Sequence, residues 1–280
     1  MRRRRDALPG LSLTLSLTVG GLLLFIVVPL TTVVATSAHL TAGRFWAAVA
    51  SPRAIASYRL SFGASLVAAA ACAPLGLLFA WVLTRYRFPG RRLLDALIDL
   101  PFALPTAVSG IALTTVWAQT GWLGRPLARA GVPVAFTAAG VTLALIFIGL
   151  PFVVRAIMPV LDALGHEPEE AGAVLGASRW QTLARITLPT LLPAVLTGVA
   201  LAFARALGEY GSVVFIAGNL PLRTEIAPLL IMTKLEEYDY AGATAVAVVL
   251  LAASFLLLLV LNRAQAWTAE RTGMTASRIG

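Results

Sequence analysis

Apolar runs of about 20 residues recur along this chain, and each is long enough to cross a hydrocarbon core roughly 30 Å thick. That recurrence limits the fold more than any single motif. It predicts an all-α integral membrane protein, with six spans at about 11–37, 60–84, 94–118, 137–161, 188–207 and 242–262. Over 280 residues only 12% are charged, about half the share usual for a soluble domain, so one transmembrane domain covering 1–280 is expected. The start, MRRRR before an apolar stretch, imitates a secretory signal. The stretch runs on to about Ser37, however, whereas a signal core has about 7–15 residues, so it reads as an uncleaved first span.

A formal net charge of +9 in a soluble protein would suggest nucleic acid. Here the useful question is how the positive charges divide between the two faces. With the amino terminus inside, one face receives Arg2–Arg5, the RYRFPGRR loop, Arg155, Arg179, Arg185, Arg263, Arg271 and Arg278. The other receives Arg44, Arg53, Arg59, Arg125, Arg129, Arg223 and Lys234. The ratio is roughly two to one, which places both termini in the cytoplasm. The single cysteine, Cys72, lies inside an apolar run, so no intrachain disulfide can form.

Proline interrupts several spans: Pro101 and Pro105 in the third, Pro151 in the fourth, and Pro189 and Pro193 at the start of the fifth. A membrane helix tolerates such breaks where neighbours or a water-filled cavity satisfy the freed backbone groups. Thr106, Ser109, Thr114 and Thr115 give the third span a polar stripe, suited either to helix packing or to lining a translocation path. Between Gly208 and Tyr240 the apolar pieces are too short to cross and read as re-entrant or interfacial.

The stretch 168–189 is polar although it separates two strongly apolar segments. Pro168 suits the start of a helix, and Glu169 and Glu170 complement its dipole. Gly176 stops that helix, and Ser178 with Gln181 forms a capping box for a second one running toward Pro189. Ala171, Val174, Leu175, Trp180, Leu183 and Ile186 supply apolar surface. Such a unit is either a knob for a cytoplasmic partner or an amphipathic loop resting on lipid headgroups.

The pattern E-A-x3-L-G-A-x8-I-x-L-P resembles the EAA loop of ABC-importer permease subunits. Glu170, Ala171, Gly176, Ile186, Leu188 and Pro189 match it position by position, while Gly172 stands where the family usually has alanine. That glycine should loosen the first helix by about 1 kcal/mol. The resemblance implies the type I ABC-importer permease fold, with 168–189 as a coupling helix seated on a cytoplasmic ATPase. It places Glu170, Ala171, Gly176, Arg179 and Trp180 at or near that contact. The chain itself has no G-x-x-x-x-G-K-[ST] phosphate loop, and its one lysine, Lys234, follows threonine on the far side. ATP hydrolysis, with its magnesium, therefore belongs to a separate subunit, and this chain is expected to bind no cofactor.

LTRYRFPGRRLLDALIDLPFALPTAVSG, ARALGEYGSVVFIAGN and TEIAPLLI resemble the T-type permease of bacterial sulfate/thiosulfate importers. Molybdate permeases are similar around DLPFALPT and RALGEYG. The resemblance implies two ATPase copies, a second related permease, a periplasmic sulfate- or thiosulfate-binding protein and a bacterial inner-membrane location. An oxyanion path in lipid needs hydroxyls, broken helix ends or arginine, which singles out Thr106, Ser109, Arg205 and Glu209. Arg205 and Glu209, four apart, should form a local ion pair. Asp95 and Asp99 also share a face, with Arg91 one turn earlier, and read as structural. His39 and His166 are isolated in the sequence, and no metal-ligand or nucleophile–base set appears. An ion-coupled secondary transporter is the competing class. It calls for a carboxylate relay at mid-membrane, for which Asp99 is nearly the only candidate.

Overall fold

The computed structural model describes residues 11–271, which are helices joined by turns. Arg2–Arg5 and Arg278, counted above for orientation, lie outside this range. Twelve helices follow in chain order. They are α1 Ser12–Ala38, α2 Ala42–Val49, α3 Pro52–Arg85, α4 Arg91–Ala103, α5 Thr106–Trp117 and α6 Gly124–Arg129. The rest are α7 Ala138–Leu164, α8 Glu167–Val174, α9 Arg179–Leu207, α10 Val213–Ala217, α11 Ala227–Glu236 and α12 Tyr240–Arg271. Five are long and apolar enough to cross a membrane: α1, α3, α7, α9 and, over Tyr240–Leu261, α12.

The third expected span, 94–118, departs from a merely kinked helix. It is two helices, α4 and α5, meeting at 116°. Pro101 stays inside α4, and the break falls at Leu104 and Pro105, which are extended. Proline at 105 biases the preceding residue away from helical geometry, so the turn is written locally. The fifth span departs in the opposite sense. Pro189 and Pro193 were expected to open it, yet the helix begins ten residues earlier at Arg179 and runs unbroken to Leu207. A π turn at Leu183–Thr187 absorbs the register change just ahead of Pro189.

The centre of the bundle is α3, α7 and α9. In lipid the hydrophobic effect does not drive helices together, so packing rests on close van der Waals approach. The buried stripe of α3 is built for that: Ser57, Ser61, Ala64, Ala68, Cys72, Gly76 and Ala80 recur at helical spacing. At Gly76 a Cβ would stand 2.6 Å from Val153 Cγ1 of α7, so only glycine permits this separation.

Contacts at the helix ends give the chain's direction. Arg85, last in α3, pairs with Glu169 just after α7, so α3 and α7 end together. Their starts also lie together at the opposite end. There Arg53 binds Glu225, the Ala227 amide donates to Ser61, and the Phe136 amide donates to the Ile216 carbonyl. The α4–α5 pair carries the chain between those ends, and α9 returns from the end marked by Glu169. In α12, Val246 packs with Ala54 at one end and Leu257 and Leu261 pack near the cluster of Leu83 and Leu161 at the other. The segment between α9 and α12 holds only the short α10 and α11, in keeping with the short apolar pieces read from 208–240.

Candidate functional site: the 167–187 hairpin and the α5–α9 junction

The segment after α7 folds as a helical hairpin. Helix α8 starts at Glu167, with Pro168 in its first turn alongside Glu169 and Glu170. It stops at Gly176, whose φ of 80° is a left-handed conformation that costs a residue with a Cβ roughly 1–2 kcal/mol. Ser178 then caps α9 by accepting from the Gln181 amide, while the Gln181 side chain accepts from the Ser178 amide. Both halves of the capping box are formed. Glu170, Ala171, Gly176, Arg179 and Trp180 all lie exposed on this hairpin, together with Val174 and Leu175. Val174 is 87% exposed and Leu175 86%, so the hairpin presents an uncovered apolar pair beside Trp180.

Gly172 is the exception. It is buried, and a Cβ there would stand 2.7 Å from Thr182 Oγ1. The expected loosening at this glycine gives way to a tight contact between the two arms. His166, isolated in the sequence, sits at the start of α8 with Nδ1 3.6 Å from Glu169.

At the far end of α9, Arg205 Nη1 lies 2.6 Å from Glu209 Oε2, so the expected pair is present. Glu209 is 2% exposed, and its other carboxylate oxygen accepts from the Ser212 amide and hydroxyl. Arg205 remains about one-third exposed. The turn after this pair presses on the start of α5. A Cβ on Gly110 would stand 2.5 Å from the Ser212 carbonyl oxygen, and one on Gly211 would overlap the Thr106 hydroxyl. Thus DLPFALPTAVSG and RALGEYGS, about a hundred residues apart in sequence, meet in space. No side chain caps α5, so its first N–H groups leave partial positive charge beside this junction.

The polar stripe of α5 divides. Ser109 is buried, with its hydroxyl directed to the Pro105 carbonyl, and Thr114 and Thr115 bond back to Gly110 and Ile111. Thr106 sits at the junction with the 205–212 turn. Asp95 and Asp99 find a partner the sequence did not suggest. Arg155 of α7, rather than Arg91, bonds both carboxylates, with Nη2 2.7 Å from Asp95 and Nε 2.9 Å from Asp99. That clamp ties α4 to the bundle. No local spacing could have revealed it, because the partners lie 56 and 60 residues apart. It also leaves Asp99 engaged with an arginine rather than free for a proton relay.

Residues 72–273 match the family described as the binding-protein-dependent transport system inner membrane component. The chain belongs to that family. Among its relatives, the sulfate transport system permease protein CysT of Escherichia coli K12 is 46% identical, over 93% of this chain and 94% of the relative. The protein of the same name from Synechococcus elongatus is 50% identical, over 90% of this chain and 91% of the relative. Among solved structures, a bacterial ABC transporter involved in import of the acidic polysaccharide alginate superposes with a TM-score of 0.75 at 17% identity. It covers 91% of this chain and 94% of its own. The inward-facing MetNI methionine ABC transporter superposes with a TM-score of 0.59 at 16% identity, over 82% of this chain. At these identities the structures speak for the fold, which is that of an ABC-importer permease. This family member is a multi-pass inner-membrane permease subunit.

Proposed function

We propose that this chain is the permease subunit of an ATP-driven importer of sulfate or thiosulfate. One observation carries the coupling half of the reading: the exposed knob and the candidate anion site share a helix. Trp180 lies in the first turn of α9 and Arg205 in its last, and the 29-residue helix between them is about 43 Å long. A push at the knob therefore reaches Arg205 along one continuous helix, by way of the π turn at Leu183–Thr187. The relatives named for sulfate transport support the substrate class.

In this reading Glu170, Ala171, Gly176, Arg179 and Trp180 form the seat for an ATPase subunit, present in two copies, which uses ATP and magnesium. A second related permease completes the membrane pore, and a periplasmic anion-binding protein delivers substrate. The arginine distribution supports a cytoplasmic position for the knob and both termini. Thr106 and Arg205 border the anion path, with Ser109 and Glu209 behind them. The uncapped start of α5 adds donors suited to an oxyanion.

The test is uptake into proteoliposomes holding the complete complex, with the binding protein outside and ATP inside. ATP-dependent accumulation of labelled sulfate or thiosulfate is expected. Uptake of molybdate alone would reassign the substrate. Accumulation driven by an ion gradient without ATP would overturn the reading in favour of a secondary transporter.

A further inference from the structure

The sequence uses Arg85 only as one positive charge among several that set orientation. The structure gives it a specific partner. It is the last residue of α3, its side chain is 6% exposed, and its Nη2 lies 2.9 Å from Glu169 Oε1 in the first turn of α8. The guanidinium also stacks over Trp81, one turn earlier on α3, at 5.5 Å from the ring centroid. Among the described residues this is the sole ion pair that joins the 167–187 hairpin to any spanning helix.

The surroundings make that pair mechanically important. A cavity of about 700 Å³ lies between the end of α3 and the hairpin, lined by Trp81, Arg85, Glu169, Trp180, Leu183 and Thr187. Packing across an open space cannot transmit a displacement, because no atoms are in contact there to push. The hairpin is joined to the bundle covalently at both ends, to α7 through Gly165 and His166 and directly into α9. The Arg85–Glu169 pair adds a connection to α3, which the chain itself does not supply. Helix α3 is 34 residues long, about 51 Å, and its opposite end is held by the two-pronged Arg53–Glu225 bond at 2.7 and 2.8 Å.

We propose that the Arg85–Glu169 pair is a positioning latch that makes α3 move with the coupling hairpin. Arg85 and Glu169 touch neither substrate nor nucleotide; they act through the helix they join. The inference rests on the coupling reading above and adds to it a route through α3. With the latch closed, displacement of the knob rocks α3 and α9 together. With it broken, α9 moves while α3 stays.

The test uses the complete complex carrying Arg85→Ala, Glu169→Ala, Arg85→Lys, or the exchange Arg85→Glu with Glu169→Arg. Three quantities are read: ATPase subunit retained on purification, ATP hydrolysis rate, and substrate imported per ATP. Both alanine variants should retain the ATPase and hydrolyse ATP near the wild-type rate, while import per ATP falls about tenfold. The lysine variant and the exchange should regain most of it. A merely structural role would lower all three readings together and would not be rescued by exchange. Unchanged import per ATP in the alanine variants, or an exchange no better than either single change, overturns the latch alone. A wild-type complex whose import needs no ATP overturns the coupling reading beneath it.

Discussion

Gly172 and Thr182 pack so closely that any side chain at 172 would overlap the threonine hydroxyl, at 2.7 Å from a Cβ. The contact holds the two arms of the 167–187 hairpin together at the position where the family pattern carries alanine. Helix propensity alone argues that alanine would be better here, by about 1 kcal/mol. Overpacking works against it by about 1–3 kcal/mol. Gly172→Ala should therefore lower coupled uptake. Adding Thr182→Ala, which removes the hydroxyl, should restore it. Uptake assays on the single and double variants check the pair, and a single variant at full activity would show that Thr182 moves aside without cost.

Gly176 faces open space, so its requirement is conformational and not steric. Gly176→Ala should cost the hairpin roughly 1–2 kcal/mol because alanine resists a φ of 80°. Glu170→Ala leaves the hairpin folded but removes an exposed carboxylate from its proposed contact face. Both should uncouple ATP hydrolysis from uptake while the permease stays in the membrane. Wild-type uptake in both variants would remove the coupling assignment.

The Arg205–Glu209 pair is asymmetric, with one partner fully packed and the other partly open. Arg205→Ala strands a buried carboxylate and should destabilise the protein by about 3–5 kcal/mol. Arg205→Lys keeps the charge and should recover part of that loss. Thermal unfolding in detergent measures both, and a melting temperature unchanged in the alanine variant would contradict the burial of Glu209.

Asp239 precedes α12 and accepts from Lys234 and from the Gly242 amide. Those two donors, the lysine first, hold its carboxyl below the usual range. A depressed folded-state pKa means the stabilisation is present above the unfolded-state value near 4 and is lost as pH falls through the folded one. Asp239→Ala should cost about 1 kcal/mol at neutral pH. The gap between variant and wild-type melting temperatures should close as pH falls below about 4. A gap independent of pH would exclude the ionised cap.

Much of the hairpin was legible in the sequence because its signals are local. Pro168, Gly176 and the Ser178–Gln181 box act within a few residues of where they stand, and each took its expected place. The Arg205–Glu209 pair was legible for the same reason, being one helical turn apart. The sharp bend at Leu104–Pro105 was half visible. Proline announces a break, but the angle of 116° depends on what α4 and α5 pack against. Arg155, Arg85 and Gly172 were misread or overlooked, since their partners are distant in sequence or belong to another helix arm.

The sequence by itself determined a membrane-spanning helical chain, the likeness to importer permeases and the presence of a polar helical hairpin between two apolar segments. Apolar length, turn residues and caps act over a few residues, so they can be read without knowing the fold. Only the tertiary structure decided which charges neutralise one another, that DLPFALPT meets RALGEYG, and that one unbroken helix joins the knob to Arg205. Those outcomes depend on how closely helices approach in three dimensions. In lipid that approach is governed by side-chain size along whole faces, which no local spacing reveals.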